Sequence, residues 1–218
     1  MELPLRLLAV ASLIPSTKTV VDVGSDHGKL GAYCLQNEVC EKVIATDIHK
    51  QPAERTSAFL RLSGFEDKSS VLCTDGLHGV PYEDDMCIVI AGMGGLEIMK
   101  ILKDACTDDN EAWKKWTWVL QPQRSEYELR EFLCDNGFEI KEEKIVFDRD
   151  HCYTIEKAQY TGRSTRPSEA ALFLGPYILE KKPEGFPEYM DLKKKVMKKR
   201  ALGDPRCAKI LDSWEALL

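Results

Sequence analysis

The period of the hydrophobic positions changes along the chain, and the changes mark out its elements. Short, nearly continuous apolar runs recur at TVVDVG, KVIATDI, SSVLCTDG, MCIVIAG and WTWVLQP. Unbroken runs of this length predict parallel strands buried on both faces. Between them, KLGAYCLQN, PAERTSAFLRLSG, MGGLEIMKILKDA and SEYELREFLCDNG read as helices. Pro52 falls in a first turn, Gly64 and Gly137 follow helix ends, and Ser125 with Glu128 three residues later reads as a cap. Ahead of the first strand, Leu7, Leu8, Val10, Ala11 and Ile14 fit one face of a short helix that stops before Pro15. That reading is preferred to a signal peptide, which the segment only faintly resembles. After residue 137 the pattern lengthens. FEIKEEKIVFDRDHCYTIEKAQY predicts two strands joined at FDRDH. The fold class that follows is α/β, a doubly wound Rossmann-like sheet with a terminal antiparallel hairpin.

TGRSTRPS, residues 161–168, is polar and carries Gly and Pro, so it reads as a linker. Beyond it EAALFLGPYILEK, PEYMDLKKKVMKKR and PRCAKILDSWEALL read as three helices, with Tyr189, Leu192 and Val196 on one face of the second. The division expected is a domain at 1–160 and a small helical one at 161–218. Charge supports the division. The chain carries 30 Lys and Arg against 36 Asp and Glu, yet residues 161–218 hold 12 against 8. The basic cluster is sharpest at LKKKVMKKR, where Lys193, Lys194, Lys195, Lys198, Lys199 and Arg200 form either a phosphate-binding surface or a solvated helix face. No apolar run reaches the roughly 18 residues of a membrane span. The 8 cysteines include no C-x-x-C and none has a His at ligand spacing, so they read as reduced thiols of a cytoplasmic protein without a metal. Cys73 and Cys87, within apolar strands, read as small buried hydrophobes. Trp113, Trp116 and Trp118 fit core packing better than base stacking.

Candidate chemistry lies where the strands end. VVDVGSDHGKLG begins like a nucleotide-binding strand and turn, but Asp26 stands where a dinucleotide fingerprint has its middle glycine. A pyrophosphate on this loop would meet that carboxylate at a cost of about 1 kcal/mol at ~4 Å in water, and more when shielded. S-adenosylmethionine carries no phosphate and brings a sulfonium and an ammonium, which a carboxylate attracts. Asp26 therefore favours that cofactor, although it also suits a plain helix cap. Asp47, 23 residues after Gly24, has the spacing of a ribose-binding carboxylate. The Asp75–Gly76 loop would face adenine, and AGMGG, residues 91–95, would complete the site.

On these motifs the chain resembles class I S-adenosylmethionine-dependent methyltransferases, and more narrowly the bacterial tRNA (adenine-22-N1)-methyltransferases. The resemblance runs through RLLAVA, VDVGSDHGKL, TDGL, IAGMGG, LQPQ with LREFL, YTIEKAQY and FLGPYILEKK. The family usually has Tyr at Lys29, Pro at Gly31 and LQPN in place of LQPQ. The resemblance implies methyl transfer from S-adenosyl-L-methionine to N1 of an adenosine in tRNA, most naturally adenosine 22, with the helical tail gripping the RNA. The cofactor would be held by Gly24, Ser25, Asp26, His27, Gly28, Asp47, Ile48, Asp75, Gly76, Leu77, Ala91, Gly92 and Met93. Lys29, Gly94, Gln121, Pro122 and the six basic residues of 193–200 would face the RNA. His27, Arg6 and Met93 are the catalytic candidates. His27 either contacts the base or steadies its loop, Arg6 either reaches the base or a phosphate or is a surface residue, and Met93 offers a wall for the base plane. Two other readings remain: a methyltransferase for a small molecule or a protein, and an RNA-binding protein with a vestigial pocket.

Overall fold

A computed structural model describes residues 2–107, 111–149 and 151–214. One seven-stranded sheet has the order β3-β2-β1-β4-β5-β7-β6. Its strands are β1 (Thr17–Val23), β2 (Cys40–Asp47), β3 (Ser69–Cys73), β4 (Met86–Met93), β5 (Thr117–Pro122), β6 (Phe138–Asp148) and β7 (His151–Tyr160). β1 to β5 pair in parallel, whereas β7 pairs antiparallel with both β5 and β6. The fold class expected from the apolar runs is therefore observed. The expected hairpin is present too, with Asp150 of its turn outside the described residues.

Helices cover both faces. The α1 (Leu5–Ala11) and α2 (Lys29–Gln36) helices bury one core with Val20, Val43, Val89 and Ile155. On the other face α4 (Gly95–Cys106) and α5 (Glu126–Asp135) cover Val21, Ile88, Ile90 and Leu120. Trp113, Trp116 and Trp118 are buried in this second core, as their spacing suggested. The α3 helix (Lys50–Leu62) turns Ala53, Thr56 and Leu60 inward.

Several expectations are corrected. Cys73 is exposed because β3 is the sheet edge and is only partly covered, whereas Cys87 in central β4 is fully buried. Ser125 sits at the start of α5 in a left-handed conformation and makes no side-chain capping bond. The stretch read as one helix after residue 168 is two, α6 (Glu169–Leu174) and α7 (Pro176–Lys181). They break at Gly175, whose φ of 93° suits glycine and whose absent Cβ would lie 2.8 Å from the Glu143 carboxylate. On α8 (Phe186–Ala201) the buried stripe is Phe186, Tyr189, Met190, Lys193 and Met197, so Leu192 and Val196 face outward. The last helix, α9 (Pro205–Trp214), opens after Asp204, whose Oδ1 accepts from the Arg206 N–H at 2.9 Å. Residues 215–218 of its expected span lie outside the described residues.

The tail packs through its own apolar cluster around Tyr189, Met197 and Trp214, and joins the sheet through a buried ionic group. Arg130 Nε lies 2.7 Å from Glu143 and 3.0 Å from Glu156, with all three side chains fully buried. The Arg130 guanidinium also donates to the Leu172 carbonyl at 3.1 Å, and Glu143 accepts from the Tyr177 N–H at 2.8 Å. Burial pushes the Glu156 carboxyl up against the pull of Arg130. Removing the arginine strands Glu143 as an uncompensated buried charge. Arg130→Met is expected to lower unfolding stability by about 3–5 kcal/mol in urea titrations; a loss below about 1 kcal/mol would show that the cluster carries no such weight.

Candidate active site

The loops after β1, β2 and β3 are stitched together by backbone. The Gly24 and Ser25 N–H groups donate to the Thr46 carbonyl at 2.8 and 3.0 Å, and Thr74 donates to the Asp47 carbonyl at 2.8 Å. The Thr46 hydroxyl reaches the Gly76 carbonyl at 2.9 Å. On the other side, Gln123 N–H donates to the Met93 carbonyl at 2.8 Å and Gly95 N–H to the Arg124 carbonyl at 2.9 Å. Between the two groups lies a cavity of about 430 Å³, lined by Gly24, Asp47, Ile48, Asp75, Gly76 and Met93 among others. That volume suits a small organic ligand. A second recess of about 280 Å³ shares Asp75 and Gly76 and continues past Leu77, His78 and Tyr82. The Met93 side chain lies over Gly24, where a Cβ would meet its methyl carbon at 2.2 Å. A side chain there would have to push that methyl end aside, and the φ of 74° favours glycine.

The carboxylates fall into different environments. Asp47 is 9% exposed and accepts from the His49 N–H at 2.8 Å through Oδ1. Its other oxygen accepts no hydrogen bond among the described residues. Asp75 is paired with Lys100 at 2.9 Å. Asp26 does not line the cavity. Its exposed carboxylate is held by Arg55 of α3 at 2.7 Å and by His27 at 3.1 Å, so the nearest cation for it is a protein side chain. His27 is exposed alongside it, and Gly28 precedes α2 with φ of 65°. Ser25 is buried, and its hydroxyl favours the charged form of the Asp22 carboxyl. The spare oxygen of Asp47 fits a ligand that brings hydroxyl donors.

One residue escaped the motif reading. Asp22 is 6% exposed within β1, two residues before Gly24, and burial pushes its carboxyl up to about 6 while Ser25 partly opposes the shift. The available signal was a lone carboxylate in the apolar run TVVDVG.

The acceptor side brings distant positions together. Arg6 of α1 donates from Nη1 to Gln121 Oε1 at 2.6 Å, across 115 residues. The same guanidinium lies 3.6 Å from where a Cβ on Gly92 would be. Gln121 is fully buried and anchored by its Nε2 on the Pro122 carbonyl at 2.8 Å. Ala91 is paired with Gln121 across β4 and β5. Gly94 donates its N–H to Glu97 at 2.9 Å at the head of α4. Lys29 is exposed at the start of α2. In the tail, Lys194, Lys195, Lys198, Lys199 and Arg200 are exposed. Lys193 is not: it is 8% exposed, ion-paired with Glu126, and packed over the Phe173 and Tyr189 rings at 5.6 and 5.4 Å. Its place in an exposed RNA-binding surface is withdrawn, because its charge is spent inside the protein. Among the described residues no group of three or more His, Cys, Asp or Glu is placed to hold a metal ion.

A doubly wound sheet with this cavity at its switch point defines a protein that binds a small ligand at the carboxyl ends of its strands. The family model described as a methyltransferase domain matches residues 3–155. The chain is 30% identical over 192 residues to the tRNA (adenine(22)-N(1))-methyltransferase of Bacillus subtilis, covering 84% of this chain and 77% of that one. It superposes on a Streptococcus agalactiae protein of the NADB-Rossmann superfamily with a TM-score of 0.85 at 26% identity, covering 100% of this chain and 98% of that one. It also shares the fold of a Streptococcus pneumoniae protein solved in complex with S-adenosyl-L-methionine, with a TM-score of 0.85 at 23% identity and 98% of each chain covered. The chain belongs to the family of the Bacillus subtilis tRNA (adenine(22)-N(1))-methyltransferase.

Asp22 gives a pH test. Its folded-state value lies above the unfolded one of 3.8, so the native state holds the extra proton between about pH 4 and 6 and loses stability as pH rises through that window. Asp22→Asn is expected to raise unfolding stability at pH 8 by up to roughly 3 kcal/mol, at about 1.4 kcal/mol for each tenfold difference in proton affinity between the folded and unfolded chain, and to change it little below pH 4. Thermal melts across pH 4–8 would read this, and an equal gain at both ends would refute it.

Proposed function

We propose that this chain transfers the methyl group of S-adenosyl-L-methionine to N1 of an adenosine in tRNA, with adenosine 22 the position that its relatives' names indicate. The observation that carries the reading is the meeting of Arg6, Gln121 and Gly92 at the ends of β4 and β5, next in the chain to the cavity residue Met93, in a chain whose relative at 30% identity is named for that reaction. The cofactor supplies an electrophilic methyl group on a sulfonium. In this reading Asp47 takes the ribose hydroxyls, the Asp75–Leu77 loop and the recess beside it take the adenine, and Gly24 and Ser25 with Ala91 to Met93 enclose the rest, while Asp26, His27 and Gly28 shape the loop from outside.

N1 of a neutral adenine carries an in-plane lone pair, so no general base is needed to unmask the nucleophile. The work left to the protein is placement. Met93 forms a wall for the target base, while Arg6 and Gln121, locked to each other, orient its edge. His27, paired with Asp26 on the exposed side, steadies the loop. The base must be unpaired or flipped to reach this depth. Residues 161–218 act as a basic helical domain that holds the RNA through Lys194, Lys195, Lys198, Lys199 and Arg200, with Lys29 and Gly94 nearer the acceptor. A tRNA substrate assigns the enzyme to the cytoplasm. Among the described residues no helix is long and apolar enough to cross a membrane.

Unmodified tRNA with labelled cofactor should yield 1-methyladenosine by mass spectrometry of digested RNA; methyl incorporation into no nucleoside of any tRNA pool would end the proposal. Asp47→Ala should weaken cofactor binding in calorimetry about 10- to 100-fold, the worth of a charged hydrogen bond. Replacing Lys194, Lys195, Lys198 and Lys199 by Ser should flatten the salt dependence of tRNA binding by up to about one unit of slope per lost phosphate contact. A slope already near zero in the unaltered protein would instead favour a small-molecule acceptor.

A further inference from the structure

Two rings at the start of β7 have no part in the site described so far. Leu120 pairs with Glu156 in the antiparallel β5–β7 ladder, so continuing that register carries Tyr153 and His151 past the end of β5. They stand at the edge of the sheet where Gln121 and Pro122 end. Being two residues apart on a strand, they share a face. Their ring centroids are 5.9 Å apart with planes only 13° from parallel. Arg6 Cζ lies 5.8 Å from the Tyr153 ring centroid while its Nη1 is held by Gln121 at 2.6 Å. Tyr153 is half-buried and His151 exposed. A row of flat groups, Arg6, Tyr153 and His151, thus leads outward from the acceptor side.

We propose that this row is a stacking platform for the nucleotides flanking the target adenosine, a role that rests on the RNA reading above. Extracting a base from its stack leaves its neighbours with an uncovered face, and aromatic and guanidinium planes accept any base because every base has a π-face. A strand holds its side chains at fixed spacing, so the platform is formed before the RNA arrives. Arg6 couples the two tasks. One guanidinium nitrogen orients through Gln121 at the acceptor, and the charged group lies over the first ring.

The test uses the full chain, S-adenosyl-L-methionine and a tRNA carrying the fluorescent base 2-aminopurine beside the target adenosine. Stacking quenches that fluorophore. Binding by the unaltered protein should quench it, while Tyr153→Ala and His151→Ala should lose quenching and raise KM for tRNA by about 5- to 100-fold, the range of one stacked base. Cofactor affinity by calorimetry should stay unchanged, and Tyr153→Phe and His151→Tyr should restore both readouts. His151 is exposed, and its ring contact among the described residues is with Tyr153, so its variant decides the matter even where Tyr153→Ala loosens Arg6. Unchanged KM and quenching in His151→Ala within an active enzyme would overturn the platform alone. An unaltered protein that forms no methylated adenosine would overturn the RNA reading itself, before any variant is compared.

Discussion

Arg130 lies at zero exposure between Glu143 and Glu156, and the placement of the tail depends on it. Burying a cation costs desolvation that close pairing has to offset. Here one carboxylate, Glu143, balances the charge and also accepts from the first N–H groups of α7, at 2.8 Å from Tyr177 and 3.3 Å from Ile178. The second, Glu156, is pushed up by burial in the same dry place, against the pull of the arginine. The helix break at Gly175 is the geometric condition, since any side chain there would displace Glu143. Next to this group the Lys193–Glu126 pair and the Tyr189 hydroxyl, which donates to the Leu174 carbonyl at 2.7 Å, extend the polar seam to α8. The rotation of α8 about its axis follows, and with it which lysines face solvent.

The site is organised by strand order. Placing β1 between β2 and β4 gathers the loops that hold a cofactor on one side and the ends of β4 and β5 on the other. Each side is tied internally by backbone hydrogen bonds. Met93 spans the divide: it leaves β4 on the acceptor side and lies over Gly24 on the cofactor side. A side chain at position 24 would have to move the Met93 methyl end, while the positive φ favours glycine there.

Much of this was legible beforehand. The continuous apolar runs identify buried parallel strands because both faces are covered, and the loops that follow them carry the cavity residues Gly24, Asp47, Asp75, Gly76 and Met93. Periodicity was less informative where polar groups are buried in pairs. Lys193 reads as one lysine of a basic run, yet it faces inward because Glu126 and two aromatic rings await it. Leu192 and Val196 read as core and are exposed for the same reason, a rotation set by neighbours on other elements. Asp26 was expected to face a cationic ligand, but Arg55, 29 residues on, takes that role.

The sequence by itself determined the element order, the parallel sheet with its antiparallel end, and which loops would meet at the ligand edge. These follow from local pattern, because burial on two faces and turn chemistry are written in adjacent residues. Only the tertiary structure decided the partner of each charge. Arg6 finds Gln121, Asp26 finds Arg55, Arg130 finds two glutamates, and Asp22 is raised by burial against the pull of Ser25. Electrostatic partnership depends on distance in space and on local dielectric, and neither is encoded by spacing along the chain. The same contacts that assign those partners also put Tyr153 and His151 in one row beside the acceptor, where nothing in their local sequence would have placed them.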